Sequence, residues 1–190
     1  MPLPTLAALN ALARERLHWV IQPLEISPGV GLDPSIPRLI AFEDAGGFFF
    51  DPSGEALDPI CDDLAMWIRA AQGLVVIVGC CHAGLIHTLR FVRTLSGDSR
   101  VLAVLGGFHL RDARAERLDR TLECLTEIGF GLVVPCHCSG DGAIERLLRT
   151  LGDRVQPGAG GASYALGRGR QRSPSSVAIV NSQAHQWSGG

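Results

Sequence analysis

The strongest constraint on the fold is an apolar run at residues 74–78 (LVVIV), which ends in the turn GCCHAG at residues 79–84. An uninterrupted run that is rich in β-branched residues and flanked by glycines is typical of a strand buried on both faces. A helix is predicted directly after the turn, over residues 85–95. Metal-competent side chains therefore follow a buried strand at its C-terminal end, where open α/β sheets usually hold their ligands.

The same plan of strand, glycine turn and histidine occurs twice more in the chain. The two further segments are residues 101–110 (VLAVLGGFHL) and 132–140 (LVVPCHCSG). Because neighbouring strands lie only ~4.8 Å apart, side chains at their ends can converge. The sequence therefore predicts one site lined by His82, His109 and His137.

The remaining elements are predicted from hydrophobic periodicity and from turn residues. Asp62 and Asp63 precede a predicted strand, and both turn formation and a catalytic role remain open for them. His87 is predicted to lie on a helix surface. The predicted helices cover residues 5–19, 113–127 and 143–151, the predicted strands residues 20–26, 38–42 and 64–68, and the predicted loop residues 27–37. The strand at 64–68 is expected to pair with 74–78 through a turn at 70–73.

Charge and cysteine content exclude several classes of protein. The chain has 190 residues and a formal net charge of -2, so no attraction to nucleic acid or to an anionic membrane is expected. No apolar run approaches the ~20 residues of a membrane span, and the N-terminus does not resemble a secretory signal. The six cysteines are interpreted as reduced thiols of a cytoplasmic protein. Cys136 and Cys138 are interpreted as partly buried thiols rather than a zinc knuckle, because no second C-x-x-C is present.

Several segments together resemble a known family. GLVVIVGCCHAG, LGGFHL and PCHCSG resemble the GLVV-x-x-GCSHAG, IGGFHL and HC-T/S-G motifs of a metallo-β-lactamase-fold group, similar to the ribofuranosylaminobenzene 5′-phosphate (7,8-dihydropterin) synthase type. DPICDDLAMWIRAAQ and PSIPRLIAFED resemble two further stretches of that group, and the resemblance covers residues 26–161. It implies an α/β fold that forms the C-terminal half of a metallo-β-lactamase-like αββα sandwich.

Three parts are expected along the chain. Residues 1–25 are expected to be an N-terminal helix and strand remnant, and residues 26–166 a partial metallo-β-lactamase-like domain. From residue 167 to 190 the composition becomes rich in glycine, serine and arginine, so this part is expected to be a disordered tail.

The resemblance also implies roles for individual residues. It makes His82 and His137 metal ligands. Cys80 stands where related folds often place an aspartate that bridges two metals, so Cys80 is a further ligand candidate. His109 is the candidate catalytic residue, which either contacts the substrate or supports the ligands. The implied cofactor is a divalent metal, zinc in the first place, with manganese or iron as alternatives.

One motif of the family has no match in this sequence. Metallo-β-lactamase-fold enzymes carry an H-x-H-x-D-H motif in their N-terminal half, and no stretch here resembles it. The chain is therefore expected to correspond to the C-terminal half of a longer, complete protein, as a truncated product. If completed, it is expected to be a metal-dependent hydrolase of an ester, lactone or phosphoester, or a pterin-pathway-like transferase, acting on a small molecule. The alternative is a catalytically inactive, truncated module that binds a metal or a partner.

Half of a sandwich exposes an apolar sheet face, which monomers rarely tolerate. The partner expected from this argument is a second copy of the chain, as a homo-oligomer, or a separate N-terminal half.

Overall fold

A computed structural model of the chain describes residues 3–43, 49–58, 60–166 and 178–179. It contains one six-stranded sheet, a two-stranded ribbon and helices that follow the last three strands of the sheet. The strands are β1 (Leu24–Ser27), β2 (Val30–Pro34), β3 (Leu64–Ala70), β4 (Gly73–Cys80), β5 (Val101–Gly107), β6 (Phe130–Cys136), β7 (Tyr164–Ala165) and β8 (Ala178–Ile179). The helices are α1 (Leu3–Asn10), α2 (Leu85–Ser96), α3 (Ala115–Ile128) and α4 (Asp141–Leu151), with 3₁₀ turns at Arg14–Arg16, Ala41–Glu43, His137–Ser139 and Gly152–Arg154.

The six strands of the sheet lie side by side in chain order, from β1 to β6. The first four are antiparallel neighbours, and β4, β5 and β6 are parallel to one another. Parallel neighbours need a crossover connection, which α2 and α3 supply. The C-terminal ends of β4, β5 and β6 therefore meet at one edge of the sheet.

The main core lies between one face of the sheet and the three longer helices. Each helix turns an apolar stripe toward the sheet, as Leu118, Leu122 and Leu125 do on α3, where all three side chains are buried. Leu89 of α2 and Leu147 of α4 are buried in the same cluster. None of the helices in the described ranges has the length and apolar composition that crossing a membrane requires.

The other face of the sheet has no helix among the described residues, and it is called the open face below. Two short rows of apolar side chains cross it from strand to strand. Tyr164 and Leu166 pack on a small cluster at its β5–β6 side, made of Ala103, Leu132 and Val134. The side chains of the open face are Leu24, Val30, Leu32, Leu64, Met66, Ile68, Val75, Ile77, Ala103, Leu105, Leu132 and Val134.

The strands and helices around the histidine turns agree with the sequence-based predictions. β3 and β4 pair in the predicted antiparallel hairpin, and β5 and β6 follow with helices between them. Buried apolar runs bounded by glycines were a sufficient signal here, because they have the length of a strand and the composition of a core.

The N-terminal third differs from its prediction. Residues 27–37 contain β2 instead of a continuous loop, and the strand predicted at 38–42 is replaced by the 3₁₀ turn Ala41–Glu43. The prolines and glycines of the first segment indicate a loop locally, but pairing with β3 supplies its backbone hydrogen bonds. The helix predicted over 5–19 ends at Asn10.

The three-part division of the chain remains a prediction. The predicted tail at residues 167–190 lies outside the described residues, apart from β8.

Asp33 on β2 makes the stability of this fold depend on pH. Its side chain is only 2% exposed, and burial raises its pKa from 3.8 to about 6, an effect that Trp67 partly offsets. The folded chain therefore holds this proton more tightly than the unfolded chain, so the contribution of Asp33 is most favourable below its unfolded pKa and is lost as the pH rises through about 6. The free energy of unfolding of the wild type should therefore fall between about pH 4 and about pH 7.5, whereas that of Asp33→Asn should not. We expect the difference in favour of the variant to grow by on the order of 2 kcal/mol over this range.

Urea unfolding at the two pH values measures this difference. Asp153→Asn is the control, because Asp153 is exposed and its variant should follow the wild type at both pH values. If the free energy of unfolding depended on pH equally in Asp33→Asn and the wild type, the raised pKa assigned to Asp33 would be contradicted.

Candidate metal centre

The three parallel strands deliver their final residues to one edge of the sheet. Cys80 ends β4 and pairs with Gly107 at the end of β5, which in turn pairs with Cys136 at the end of β6. The chain after each strand turns over this edge, which places His109 and Cys138 beside Cys80. The predicted convergence of strand ends is therefore present, although the cluster that forms contains two sulfurs.

Cys80, His109 and Cys138 form the tightest group of metal-competent side chains at this edge. The Cys80 Sγ lies 3.3 Å from the His109 Nδ1 and 2.8 Å from the Cys138 Sγ. One ligand atom from each of the three residues lies within 4.8 Å of the others, and all three side chains are partly buried. This arrangement is compact enough for the three side chains to share one ion.

The backbone around His109 is tied to the turn after β6. The backbone N–H of Phe108 donates to the Ser139 Oγ at 3.1 Å, and the same hydroxyl donates to the Cys136 carbonyl oxygen at 2.8 Å. The backbone N–H of His109 donates to the Cys138 sulfur at 3.3 Å. Ser139 is fully buried, so these bonds hold the two turns in a fixed relation.

Two histidines that follow β5 and β6 have left-handed backbones, which residues other than glycine rarely adopt. The φ angles are +50° at His109 and +52° at His137. Such conformations cost of order 1–3 kcal/mol each and persist where the surroundings impose them, often at functional sites.

His82 lies next to the cluster and is oriented by Asp63. The His82 Nδ1 is 3.2 Å from the Asp63 Oδ1, and the rings of His82 and His109 meet edge to face with centroids 4.9 Å apart. Asp63 is buried and also accepts the backbone N–H groups of His82 and Ala83. Turn formation and a catalytic role were both left open for Asp63. The structure shows that its carboxylate stabilises the turn at His82 and Ala83 and also positions the His82 ring.

His137 lies on the other side of the β6 turn. It lines a cavity of about 520 Å³ with Cys136, Ile77, Leu105 and other residues of the open face. His137 and His82 are not members of the group that Cys80, His109 and Cys138 form. Their predicted role as ligands stays a prediction.

The prediction that His87 lies on a helix surface is wrong. His87 is 5% exposed, and its Nε2 accepts the backbone N–H groups of Leu39 and Ile40. Its Nδ1 lies 3.1 Å from the Glu43 Oε2. Position within α2 did not predict this burial, because the segment before Glu43 folds over the start of the helix.

Burial decides the protonation of the cluster in the absence of a metal. Burial raises the pKa of the Cys80 thiol to about 12, with further increases from Cys138 and Asp63. Burial, followed by the electrostatic effect of the neighbouring His82 and Arg117, lowers the pKa of His109. At neutral pH His109 is therefore a neutral imidazole, the form that binds metals.

The donor set suits a soft divalent ion. Two thiolate sulfurs and an imidazole nitrogen are typical zinc ligands, and the thiols of Cys80 and Cys138 would lose their protons to the solvent when the ion binds. Because Zn–S bonds of ~2.3 Å in a tetrahedral site hold two sulfurs ~3.8 Å apart, the Cys80–Cys138 pair must open by about 1 Å to accept the ion. A side-chain rotation of one thiol can supply such a change, so the residues fit the ion.

Sequence reasoning missed Cys138 as a member of the site. The C-x-C pattern was judged by its lack of a C-x-x-C partner nearby in sequence, whereas its partner is Cys80 on another strand. The available signal was that the C-x-C follows a predicted strand at its C-terminal end, as Cys80 does, so that parallel strands bring both to the same edge of the sheet.

The sheet, its helical layer and the cluster at the strand ends define a partial metallo-β-lactamase fold. The crystal structure of a metal-dependent hydrolase of the β-lactamase superfamily superimposes with a TM-score of 0.64 and 27% sequence identity, and the match covers 74% of this chain and 55% of that chain. The predicted fold class is confirmed.

The sequence relatives confirm the resemblance to the dihydropterin synthase-like group. The chain is 31% identical over 130 residues to a 7,8-dihydropterin-6-methyl-4-(β-D-ribofuranosyl)-aminobenzene-5′-phosphate synthase of Methanocaldococcus jannaschii, across 65% of this chain and 44% of that protein. It is 26% identical over 136 residues to an uncharacterised protein of the same organism, across 72% of this chain and 50% of that protein. The chain thus spans about half the length of the curated relatives it matches. No family model matches it.

Proposed function

We propose that this chain binds one divalent metal ion, zinc, through Cys80, His109 and Cys138. We further propose that it acts as part of a metal-dependent hydrolase. The observation that carries the proposal is the convergence of these three donors within 4.8 Å at the C-terminal edge of a parallel sheet. The hydrolase class is supported by the metal-dependent hydrolase that the fold resembles.

The metal, when bound, supplies a Lewis acid that polarises a carbonyl or phosphoryl oxygen. The residues beside it handle the proton. Asp63 accepts from the Nδ1 side of His82, which leaves the lone pair on Nε2 and allows that atom to take a proton. Ring contact with His109 keeps His82 next to the ligand set.

A substrate with an anionic group fits the cavity beside the cluster. This cavity of about 140 Å³ is lined by His109, Arg111, Asp112, Arg117 and Cys138, among others. Two guanidinium groups against one carboxylate favour a phosphate or carboxylate group there. The name of the similar synthase contains a 5′-phosphate, in keeping with a phosphorylated substrate and with the transferase alternative.

A metal- or partner-binding module without catalysis is the second candidate. The observation in its favour is the same three-donor group, which is sufficient to hold an ion without any catalytic side chain. Both candidates share the metal site and differ in turnover.

Metal content per chain tests the shared part of the proposal. For protein purified under reducing conditions, we expect about one zinc per chain, because the three donors lie within reach of one ion. Cys138→Ser and His109→Ala should each lower the zinc affinity at least tenfold. Cys124→Ser is the matched control, since Cys124 is a free, partly buried thiol on α3 and its variant should keep full occupancy.

Two results would overturn the proposed ligand set. One is soluble, folded wild-type protein without metal after incubation with zinc. The other is a loss of zinc in His82→Ala and His137→Ala together with full occupancy in Cys138→Ser, which would return the ligand set to the one that the sequence predicts.

A further inference from the structure

The sulfur atoms of Cys80 and Cys138 lie close enough to react with each other. Their separation is 2.8 Å, although the two residues are 58 positions apart in the sequence. A disulfide bond places its sulfurs ~2.05 Å apart, whereas a zinc ion held between the two sulfurs places them ~3.8 Å apart. The observed separation lies between these two values, so a small side-chain rotation leads to either arrangement.

The backbone around the pair holds both sulfurs in place. Cys80 ends β4 in register with Gly107 of β5, and the backbone N–H of His109 donates to the Cys138 sulfur at 3.3 Å. The Cys138 carbonyl oxygen accepts the backbone N–H of Arg111 at 3.3 Å. A Cβ at Gly107 would lie 2.8 Å from the Cys138 sulfur, so the glycine leaves the space that this sulfur occupies. Strand register and hydrogen bonds therefore set the proximity of the two sulfurs.

The cysteines that are neighbours in sequence have different surroundings. Cys81 is 3% exposed, and the Thr88 hydroxyl of α2 donates to its sulfur at 3.9 Å. Cys136 lines the cavity of about 520 Å³ on the open face, whereas Cys138 lines the cavity of about 140 Å³ beside His109. The geometry therefore favours a bond between Cys80 and Cys138 over a bond between sequence neighbours.

A small reagent can reach this pair of thiols. Cys80 and Cys138 are only partly buried, and Cys138 lines a cavity. Thiol–disulfide exchange begins with the direct attack of one sulfur on a disulfide, so access to one of the two thiols is sufficient to start it.

We propose that Cys80 and Cys138 form a reversible disulfide, which switches the candidate metal centre between a metal-binding state and an oxidised state. The oxidant is a low-molecular-mass disulfide such as glutathione disulfide. One protein sulfur attacks this reagent and forms a mixed disulfide with release of one thiol, and the second protein sulfur then displaces the other thiol. The chain loses two hydrogen atoms with their electrons, and the reagent gains them as two thiols.

The disulfide and the metal exclude each other. Zinc binds thiolates, and a disulfide offers none, so that only His109 of the three proposed donors remains in the oxidised chain. This consequence rests on the proposed zinc site, whereas formation of the disulfide in metal-free protein does not.

Mass spectrometry of metal-free protein is the first measurement. Protein treated with a chelator and then with excess glutathione disulfide should yield a linked pair of peptides that contain Cys80 and Cys138, about 2 Da below the summed mass of the reduced peptides. Dithiothreitol should separate the pair again. Cys80→Ser and Cys138→Ser should each abolish the link. Cys136→Ser is the matched control, because Cys136 lies two residues from Cys138 and its variant should keep the link.

A second arm adds zinc. One equivalent of zinc before the oxidant should slow formation of the link at least tenfold, because bound thiolates are shielded from exchange. The oxidised protein should bind zinc at least tenfold more weakly than the reduced protein.

The outcomes separate this proposal from the proposed metal site. Metal-free, folded wild-type protein that keeps both thiols under excess glutathione disulfide overturns the disulfide, as does a link that persists in Cys80→Ser or Cys138→Ser. In protein shown to hold zinc, a link that forms equally fast with and without the ion overturns the switch. Reduced protein that binds no zinc contradicts the proposed function instead, and the metal-free measurement then still decides whether the disulfide forms.

Discussion

Replacement of Gly106 by alanine is expected to lower the free energy of unfolding by about 3 kcal/mol. Gly106 has a φ of +136°, and a Cβ placed there would lie 2.0 Å from the Val78 carbonyl oxygen and 2.7 Å from the Val78 Cγ2. Val78 and Gly106 are register partners on β4 and β5, so neither backbone can move without disturbing the ladder. The backbone strain of an alanine at this positive φ adds to the steric overlap with Val78, and for this reason we expect a large loss of stability.

Equilibrium unfolding in urea measures this cost. Gly142→Ala is the matched control, because a Cβ at Gly142 meets nothing within 4 Å and the residue lies in α4. Because alanine has a higher helix propensity than glycine, we expect Gly142→Ala to raise the free energy of unfolding by up to about 1 kcal/mol. A cost below about 1 kcal/mol for Gly106→Ala would show that β4 and β5 tolerate a wider spacing at this point.

Replacement of Glu43 by alanine is expected to lower the free energy of unfolding by about 4 kcal/mol. Glu43 is 1% exposed, and its carboxylate accepts the backbone N–H groups of Ile86 at 2.9 Å and of His87 at 2.7 Å. These groups belong to the first turn of α2, which has no cap within the helix itself. Alanine would leave two buried donors without an acceptor, remove the neighbour of the His87 ring and open a cavity.

Glu116→Ala is the control for this prediction. Glu116 also stands in the first turn of a helix, α3, but its side chain is exposed. Its loss should cost no more than about 1 kcal/mol, because only the interaction with the helix dipole is removed. Equal costs for the two variants in urea unfolding would mean that Glu43 contributes through the helix dipole alone, and the buried hydrogen bonds would lose their assigned weight.

Glu43 and Asp63 play parallel roles at the two ends of one turn. Asp63 binds the backbone of His82 and Ala83, and Glu43 binds the backbone of Ile86 and His87. Between them lies Gly84, where a Cβ would approach the Glu43 carboxylate to 2.5 Å. The turn that carries His82 toward the candidate metal centre is thus held by two carboxylates from outside it.

Local sequence was sufficient for the strand ends and their histidines. The apolar runs of β4, β5 and β6 have the length and composition of buried strands, and each is followed by glycines that permit a sharp turn. The family motifs follow the same residues, which is why the fold class could be predicted. β2 was missed because its prolines and glycines favour a loop, whereas its strand conformation depends on pairing with β3.

Sequence alone therefore determined the parallel half of the sheet, its crossover helices and the presence of a polar site at the strand ends, because these depend on periodicity within single segments. The tertiary structure decided which side chains meet at that site. Cys138 joins Cys80 and His109, and the acidic side chain Glu43 joins His87, because residues far apart in sequence pack together. Such contacts follow no periodic pattern in the sequence, because the register of the strands and the path of the turns determine them jointly.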